Sequence, residues 1–458
     1  MKFNSIDELL KYTEKIKGKT FKEIDSQKLL ENTKNLKKNK GILGHIVESG
    51  FYKYPINSNP QADFDEIGVE LKVTGYKKSK KGLLSAKERV SLSKIDYNTI
   101  VYEDYEFSKL ISKNKKILFI WYLYEKGKDI GDFLITDYQL YDMSQDEEII
   151  RNDFNIIKEK VKHGRAHELS EGDTSYLGAC TKAATSNDRT SQPYSHVLAK
   201  PRAFSLKNAY MTGILRSMKT SANDIKTNDY KTVEEYINKK IIPYIGKTQL
   251  EILEEVSGKT YKEKIPKNIS KIITDSIIGK DSELPSISDL FAKTSFIIKN
   301  LPLTPKGKPR ERMSFRTLSL SEFEEDWEDS DWKTYFEETT LLTILWREPN
   351  RNARNGYREL VGVKRISFDE KDLESFKISY DMIKETIDKR DTSLLPTPNS
   401  FEGQILVVAP KGKKVYVSCH PHYLLLRGKE DRYGGNDYSW ICDVCKISYS
   451  KYIYSFHC

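Results

Sequence analysis

The chain has 458 residues, 38 % of them apolar and 31 % charged, which is enough material for two or three buried cores and excludes a disordered, charge-dominated polymer. No stretch approaches the roughly 20 apolar residues that cross a bilayer. The opening MKFNSIDELLKYTEK is charged and amphipathic without an apolar signal core, so a cytoplasmic protein without membrane contact is expected. The formal charge of +9 suits a polyanionic partner, because Lys and Arg that neutralise phosphates release counterions. It describes a solvated lysine-rich surface equally well, since the basic loops YKKSKKG (76–82) and TPKGKPRER (304–312) are offset by EFEEDWEDSD (322–331).

The first element is an amphipathic helix with Ile6, Leu9, Leu10 and Ile16 on one face, followed by GKTFKEI (18–24). The arrangement recurs in VEEYINKKIIPYIGKTQLEIL (233–253), again a helix ahead of GKTxxEI. Each copy leads into a Lys-Asn rise, KNKGILGHIVE (38–48) and KNISKIITDSI (267–277), then an Asp-bearing loop and an apolar strand. That is the pattern of an internal duplication. The polar, aperiodic SMKTSANDIKTNDYKT (217–232) between the copies reads as a linker. Within the first half, strands are predicted at IGVELKVT (67–74), RVSLSKI (89–95), KKILFIWYLYE (115–125) and FLITDYQLY (133–141). A helix follows over about 146–163, then a strand at SYLGA (175–179). Strands interleaved with helices predict an α/β (α+β) domain built on a mixed sheet.

The chemistry concentrates in QADFDEIGVELKVT (61–74). On a strand, side chains alternate faces, so Glu70 and Lys72 share one side while Val69, Leu71 and Val73 point into a core. Asp63 precedes Glu70 by seven residues, across a short turn. Two adjacent carboxylates form a hard oxygen site suited to Mg2+. A lysine beside them orients water or neutralises charge on a scissile phosphate, as metal-assisted phosphodiester hydrolysis requires. In a chain rich in Glu and Lys, E-x-K also occurs as a solvated strand face with a weak ion pair.

The same segment resembles the active-site strand of the MutH family, with its D-x6-E-x-K form of the PD-(D/E)xK nuclease motif. That family contains a mismatch-repair nicking enzyme and GATC-cutting type II restriction endonucleases. Four further blocks resemble the family in order: KNKGILGHIVE (38–48), SKNKKILFIWYLYE (112–125), EGDTSYLGACTKAAT (171–185) and PRAFSLKNAYMTGIL (201–215). The resemblance implies a restriction-endonuclease-like fold over residues 1–216 and double-stranded DNA as substrate. It implies Asp63 and Glu70 as Mg2+ ligands, Lys72 and Lys113 as catalytic lysines and Glu48 as a supporting acid. Lys40, Lys182, Arg202, Ser205 and Lys207 are the implied DNA contacts. His163 and His167 are read as helix-end surface residues. Where the family's nickase has R-P-K this chain has Cys180-Thr181-Lys182, and where it has a tyrosine linked to sensing adenine methylation this chain has Ser205. At the first only the lysine carries over; the second weakens the nickase reading and fits the Sau-type restriction branch, which resembles this chain more closely in length and implies GATC as the site, cleavage of both strands and a cognate methyltransferase in the same system.

Residues 233–417 are expected to be a degenerate second copy of the fold. In SDLFAKTSFIIKNL (288–301), Asp289 and Lys299 match the aspartate and lysine, but Ile297 replaces the glutamate. Isoleucine binds no Mg2+, so this copy is expected to bind a second DNA site without cutting, with Lys411 contributing. The stretch 418–458 resembles the opening half of a C1-like zinc finger. His420, His422, Cys442, Cys445, His457 and Cys458 are candidate Zn2+ ligands. The alternatives are a mismatch-repair nickase and a non-cleaving DNA-binding protein derived from a nuclease.

Overall fold

The structure is a computed structural model. It describes residues 2–218, 233–278 and 293–419, apart from 34–40, 56–60, 80–81, 184, 186, 259, 261–264, 295, 318–319, 351–355, 397–405 and 412–413. The six candidate zinc ligands, Lys40 and Asp289 lie outside the described residues. The chain divides into two compact units, Met1–Lys226 with Ala292–Ser295, and Thr227–Phe291 with Phe296–Cys458.

In the first unit, helix α1 (Ile6–Thr13) is capped by Ser5 and buries Leu9 and Thr13. The GKT turn then starts the one-turn helix α2 (Phe21–Ile24), where Thr20 and Glu23 form a capping box that satisfies two amides otherwise left without partners. Gly18 and Lys19 pair with Ile135 in both directions, at 2.8 and 2.9 Å, which ties the turn to the sheet. That sheet contains β1 (Val69–Lys78), β2 (Leu84–Ala86), β4 (Lys116–Leu123) and β5 (Leu134–Asp142), in the order β2-β1-β4-β5. β1 runs parallel to β4, and β4 antiparallel to β5.

Strand β4 is buried on both faces. Ile117, Phe119 and Trp121 enter one core with Phe154 and Ile157, while Leu118, Ile120 and Tyr122 enter another with Phe21 and Val69. Its near-continuous apolar run follows from that double burial. The core containing Phe119 is closed by helix α3 (Glu147–Lys162) and by a second sheet. The second sheet comprises β3 (Val90–Lys94), β6 (Leu177–Thr181) and β9 (Arg202–Leu206), in the order β3-β9-β6. A hairpin, β7 (Thr190–Gln192) and β8 (Ser195–Ala199), connects β6 to β9.

The second unit repeats this plan. Strands β10 (Phe296–Leu303), β12 (Thr340–Arg347) and β13 (Glu359–Ser367) form a sheet with the same parallel and antiparallel pairings. Gly246 and Lys247 pair with Leu360, at 2.8 and 3.0 Å, as Gly18 and Lys19 pair with Ile135. The capping box also recurs, with Thr248 and Glu251. Beyond the strands the match persists: Tyr124 N donates to Tyr76 O at 2.9 Å, and Glu348 N donates to Leu303 O at 2.9 Å. Strands β11 (Met313–Thr317), β14 (Val407–Lys411) and β15 (Lys414–Cys419) complete this unit.

Candidate active site

Phe64 and Val69 pair across the short turn Asp65–Ile67, and Gly68 closes it at φ +64, a left-handed conformation that glycine adopts without steric cost. The turn lays Asp63 alongside the start of β1. Leu71 N donates to Asp63 Oδ2 at 3.0 Å, and Asp63 N donates to Glu70 Oε2 at 3.2 Å. The D-x6-E spacing is therefore the length of chain needed to fold the aspartate back beside the glutamate.

Glu70 is only 1 % exposed. Lys72 Nζ donates to its Oε1 at 2.6 Å, and Lys113 Nζ stands 3.7 Å from the same oxygen. Lys113 comes from helix α4 (Lys109–Asn114), which is capped by Ser108 and stops immediately before β4. The third acid, Glu48, lies in the π-helical turn Ile46–Phe51, a backbone form that recurs at functional sites. Burial, with the charges of Asp63 and Glu70, pushes the Glu48 carboxyl up to about 7. Burial also raises Glu70, against the pull of Lys72. Three mutually repelling carboxylates held in a partly dry site favour a bound cation.

The donors fit Mg2+. Among the described residues no group of three or more His, Cys, Asp or Glu converges as a ready-made metal cage. Mg2+ keeps several of its waters and takes only one or two carboxylates, a number that Asp63 and Glu70 could supply.

Other expected positions are placed differently. Lys182 is exposed just beyond β6. Three implied DNA contacts are buried: Arg202 and Ser205 lie on β9, the central strand of its sheet, and Lys207 directly follows it. Arg202 is 6 % exposed, and its Nη1 donates to Ala179 O at 2.5 Å. Ser205 is fully buried, with its Oγ donating to Glu171 Oε1 at 3.4 Å. Lys207 is also fully buried, and its Nζ donates to Thr174 O at 2.6 Å. Each of these side chains bonds within the fold.

Sequence reasoning also misses Asp153. This fully buried carboxylate accepts amide hydrogens from Ser175, Tyr176 and Leu177, at 2.8, 2.6 and 2.9 Å. Its only signal was an acid on the apolar stripe of a helix.

By strand register, Ile297 stands in the second unit where Glu70 stands in the first, and Lys299 where Lys72 stands. Lys299 Nζ donates to Ser314 O at 2.7 Å. The position of Lys113, three residues before the paired strand, is taken by Glu337, which bonds Lys333 at 2.9 Å.

Comparison with known proteins gives this geometry a class. The family model for the DNA mismatch repair enzyme MutH matches residues 52–153, the segment that carries the aspartate, the glutamate and both lysines. The MutH protein of Actinobacillus pleuropneumoniae is 26 % identical over 218 residues, 47 % of this chain and 94 % of that protein. The MutH protein of Vibrio campbellii is 26 % identical over 212 residues, 45 % of this chain and 92 % of its own length. The type II restriction enzyme Sau3AI of Staphylococcus aureus is 34 % identical over 366 residues, 75 % of this chain and 73 % of that enzyme. The chain belongs to the MutH-like endonuclease family together with Sau3AI, and it is a site-specific DNA endonuclease.

Proposed function

We propose that the chain is a type II restriction endonuclease whose first unit hydrolyses both strands of DNA at GATC with Mg2+. The observation that carries this reading is the buried Glu70 carboxylate, held against Asp63 on one side and two lysines on the other. Asp63 and Glu70 would hold the Mg2+, which supplies Lewis acidity and a more acidic water when bound. Lys72 would donate a hydrogen bond to the attacking water and fix its direction. Lys113, approaching from α4, neutralises charge that grows on the phosphate oxygens, a role worth most in a water-poor site. Glu48 supports the two metal ligands. The expected ends are 5′-phosphate and 3′-hydroxyl.

In the second unit, Ile297 supplies no ligand at the glutamate position, so that unit binds an additional DNA site without cutting it. On the first unit, Lys182 remains a DNA contact by virtue of its exposure, and Lys40 is assigned that role by resemblance alone. A cognate methyltransferase and a cytoplasmic location complete the reading. The nickase alternative accounts for less of the chain, since the MutH relatives match under half of it. A non-cleaving binding protein is disfavoured by the intact acids of the first unit.

The test is incubation of a plasmid bearing several GATC sites with the full chain, in Mg2+ and in EDTA, followed by sequencing of the fragment ends. Double-strand breaks at GATC in Mg2+ alone are expected. Nicks confined to hemimethylated sites would replace this reading with the nickase, and intact plasmid that still binds the protein would replace it with the DNA-binding alternative.

A further inference from the structure

The sheet β3-β9-β6 has two unlike faces. Val90, Leu177, Ala179, Phe204 and Leu206 point into the core. By alternation Gly178, Cys180, Ala203 and Ser205 point the other way, onto a floor of small side chains that is itself buried. Glu171 lies on it. A Cβ at Gly178 would collide with Glu171 Oε2, so the carboxylate occupies the space that a side chain there would fill.

Glu171 is only 4 % exposed, and its bonding is thin. Oε1 accepts from Ser205 Oγ at 3.4 Å and stands 3.6 Å from Arg89 Nη1, while Oε2 is buried with no hydrogen-bond partner. A buried acid serves stability poorly, because desolvation offsets its attraction and an apolar side chain fills such a place at less cost. What a carboxylate provides that an apolar group cannot is a fixed counter-charge for the Arg89 guanidinium. That guanidinium sits in the turn between β2 and β3, with 22 % of its side chain exposed.

Two further facts relate Arg89 to the DNA path. Lys182 follows Cys180 by two residues, on the same face by alternation, and the charges of both Lys182 and Arg89 act on the Cys180 thiol. Two cations therefore flank the floor. Four residues beyond Arg89, Ser93 Oγ accepts from Asn114 Nδ2 at 2.8 Å, and Asn114 adjoins Lys113 of the candidate site. At roughly 3.3 Å per residue, about 13 Å of strand separates Arg89 from that junction, some four nucleotide steps along one DNA strand.

We infer that Glu171 is a positioning residue for DNA binding, which holds Arg89 on the rim of this sheet so that its guanidinium contacts a phosphate of the bound duplex. The inference rests on the reading of the first unit as a DNA-cutting enzyme. Glu171 itself touches no DNA; it acts through Arg89.

The experiment uses the full chain as wild type, Arg89→Ala, Glu171→Gln and the double variant. Affinity for a GATC duplex and for a duplex without GATC is read in EDTA across a salt series. Arg89→Ala is expected to weaken both duplexes by about 10-fold and to reduce the slope of log affinity against log salt by about 1. Glu171→Gln is expected to produce the same slope change, and the double variant to match either single one instead of summing them. A merely structural Glu171 would lower the melting temperature and leave the slope alone. Should Glu171→Gln fail to fold, Glu171→Asp replaces it in the comparison.

An Arg89→Ala slope equal to wild type, or Glu171 and Arg89 losses that add, overturns the inference while the endonuclease reading stands. A wild type that binds neither duplex overturns the endonuclease reading and this inference with it.

Discussion

Replacing Glu70 with Gln is expected to slow strand scission by about 1,000-fold, near 4 kcal/mol of transition-state stabilisation, while the protein remains folded and still binds DNA. Glutamine preserves the shape of the side chain and its acceptor for the Asp63 amide, bonded at 3.2 Å in the native protein. It removes the charge that Lys72 meets at 2.6 Å and Lys113 at 3.7 Å, and it weakens the cation site. A neutral amide is easier to bury than a carboxylate that is 1 % exposed, so thermal stability is expected to hold or rise, as it often does when a strained functional group is removed. Single-turnover cleavage with a melting curve on the same preparation reads both quantities. A variant that cuts within a few-fold of wild type would remove Glu70 from the chemistry.

Asp153→Ala is expected to act in the opposite manner, through the fold. Three amide hydrogens, from Ser175, Tyr176 and Leu177, end on this one fully buried carboxylate. Alanine leaves all three unsatisfied in a cavity from which water is excluded. Hydrogen bonds to a charged group contribute about 1.5–3 kcal/mol each, and partial relaxation brings the expected total to about 4 kcal/mol. For a unit of this size that lowers the melting temperature by about 10 °C. Asp153→Asn, which retains one oxygen acceptor, should lose about half as much. The same residues open β6, which ends next to the exposed Lys182, so the Ala variant should also bind DNA less tightly below its melting point. Chemical denaturation of the two variants beside wild type decides the matter, and equal midpoints would show that the three bonds are replaced by others.

How far the sequence shows this arrangement depends on what each residue's signal encodes. The strands are legible because alternation, or its replacement by a continuous apolar run, directly expresses burial on one face or two. Lys116–Leu123 shows this, whereas on Val69–Lys78 alternation marks Val69 and Leu71 but hides the burial of Glu70 between them. Asp63 is legible as well, since a glycine-closed turn of fixed length leaves it little choice of place. The repeat is legible from GKTFKEI and GKTQLEI, because a capping box and a glycine turn are local chemistry.

The burial of Arg202, Ser205 and Lys207 is not legible in the sequence, for a definite reason. Polar residues on a strand look outward-facing until the strand order is known, and nothing local reveals that β9 runs between β3 and β6. Glu171 and Asp153 are hidden by the opposite problem: acids in charged, helical or loop sequence read as solvated. Their burial is set by segments that return from far along the chain, at Arg89 and Ser205 for the one and at Ser175–Leu177 for the other. The π-helical turn that carries Glu48 has no sequence signature of its own, since its extra residue depends on packing.

The most direct test of the central claim, that the first unit performs the chemistry and the second does not, is single-turnover cleavage of one GATC duplex by two matched variants. Lys72→Ala and Lys299→Ala remove the lysines that occupy equivalent positions of the two sheets. The account predicts that Lys72→Ala loses scission by about 100-fold or more while Lys299→Ala cuts at the wild-type single-turnover rate. Comparable loss in both variants, or loss in Lys299→Ala alone, would contradict it.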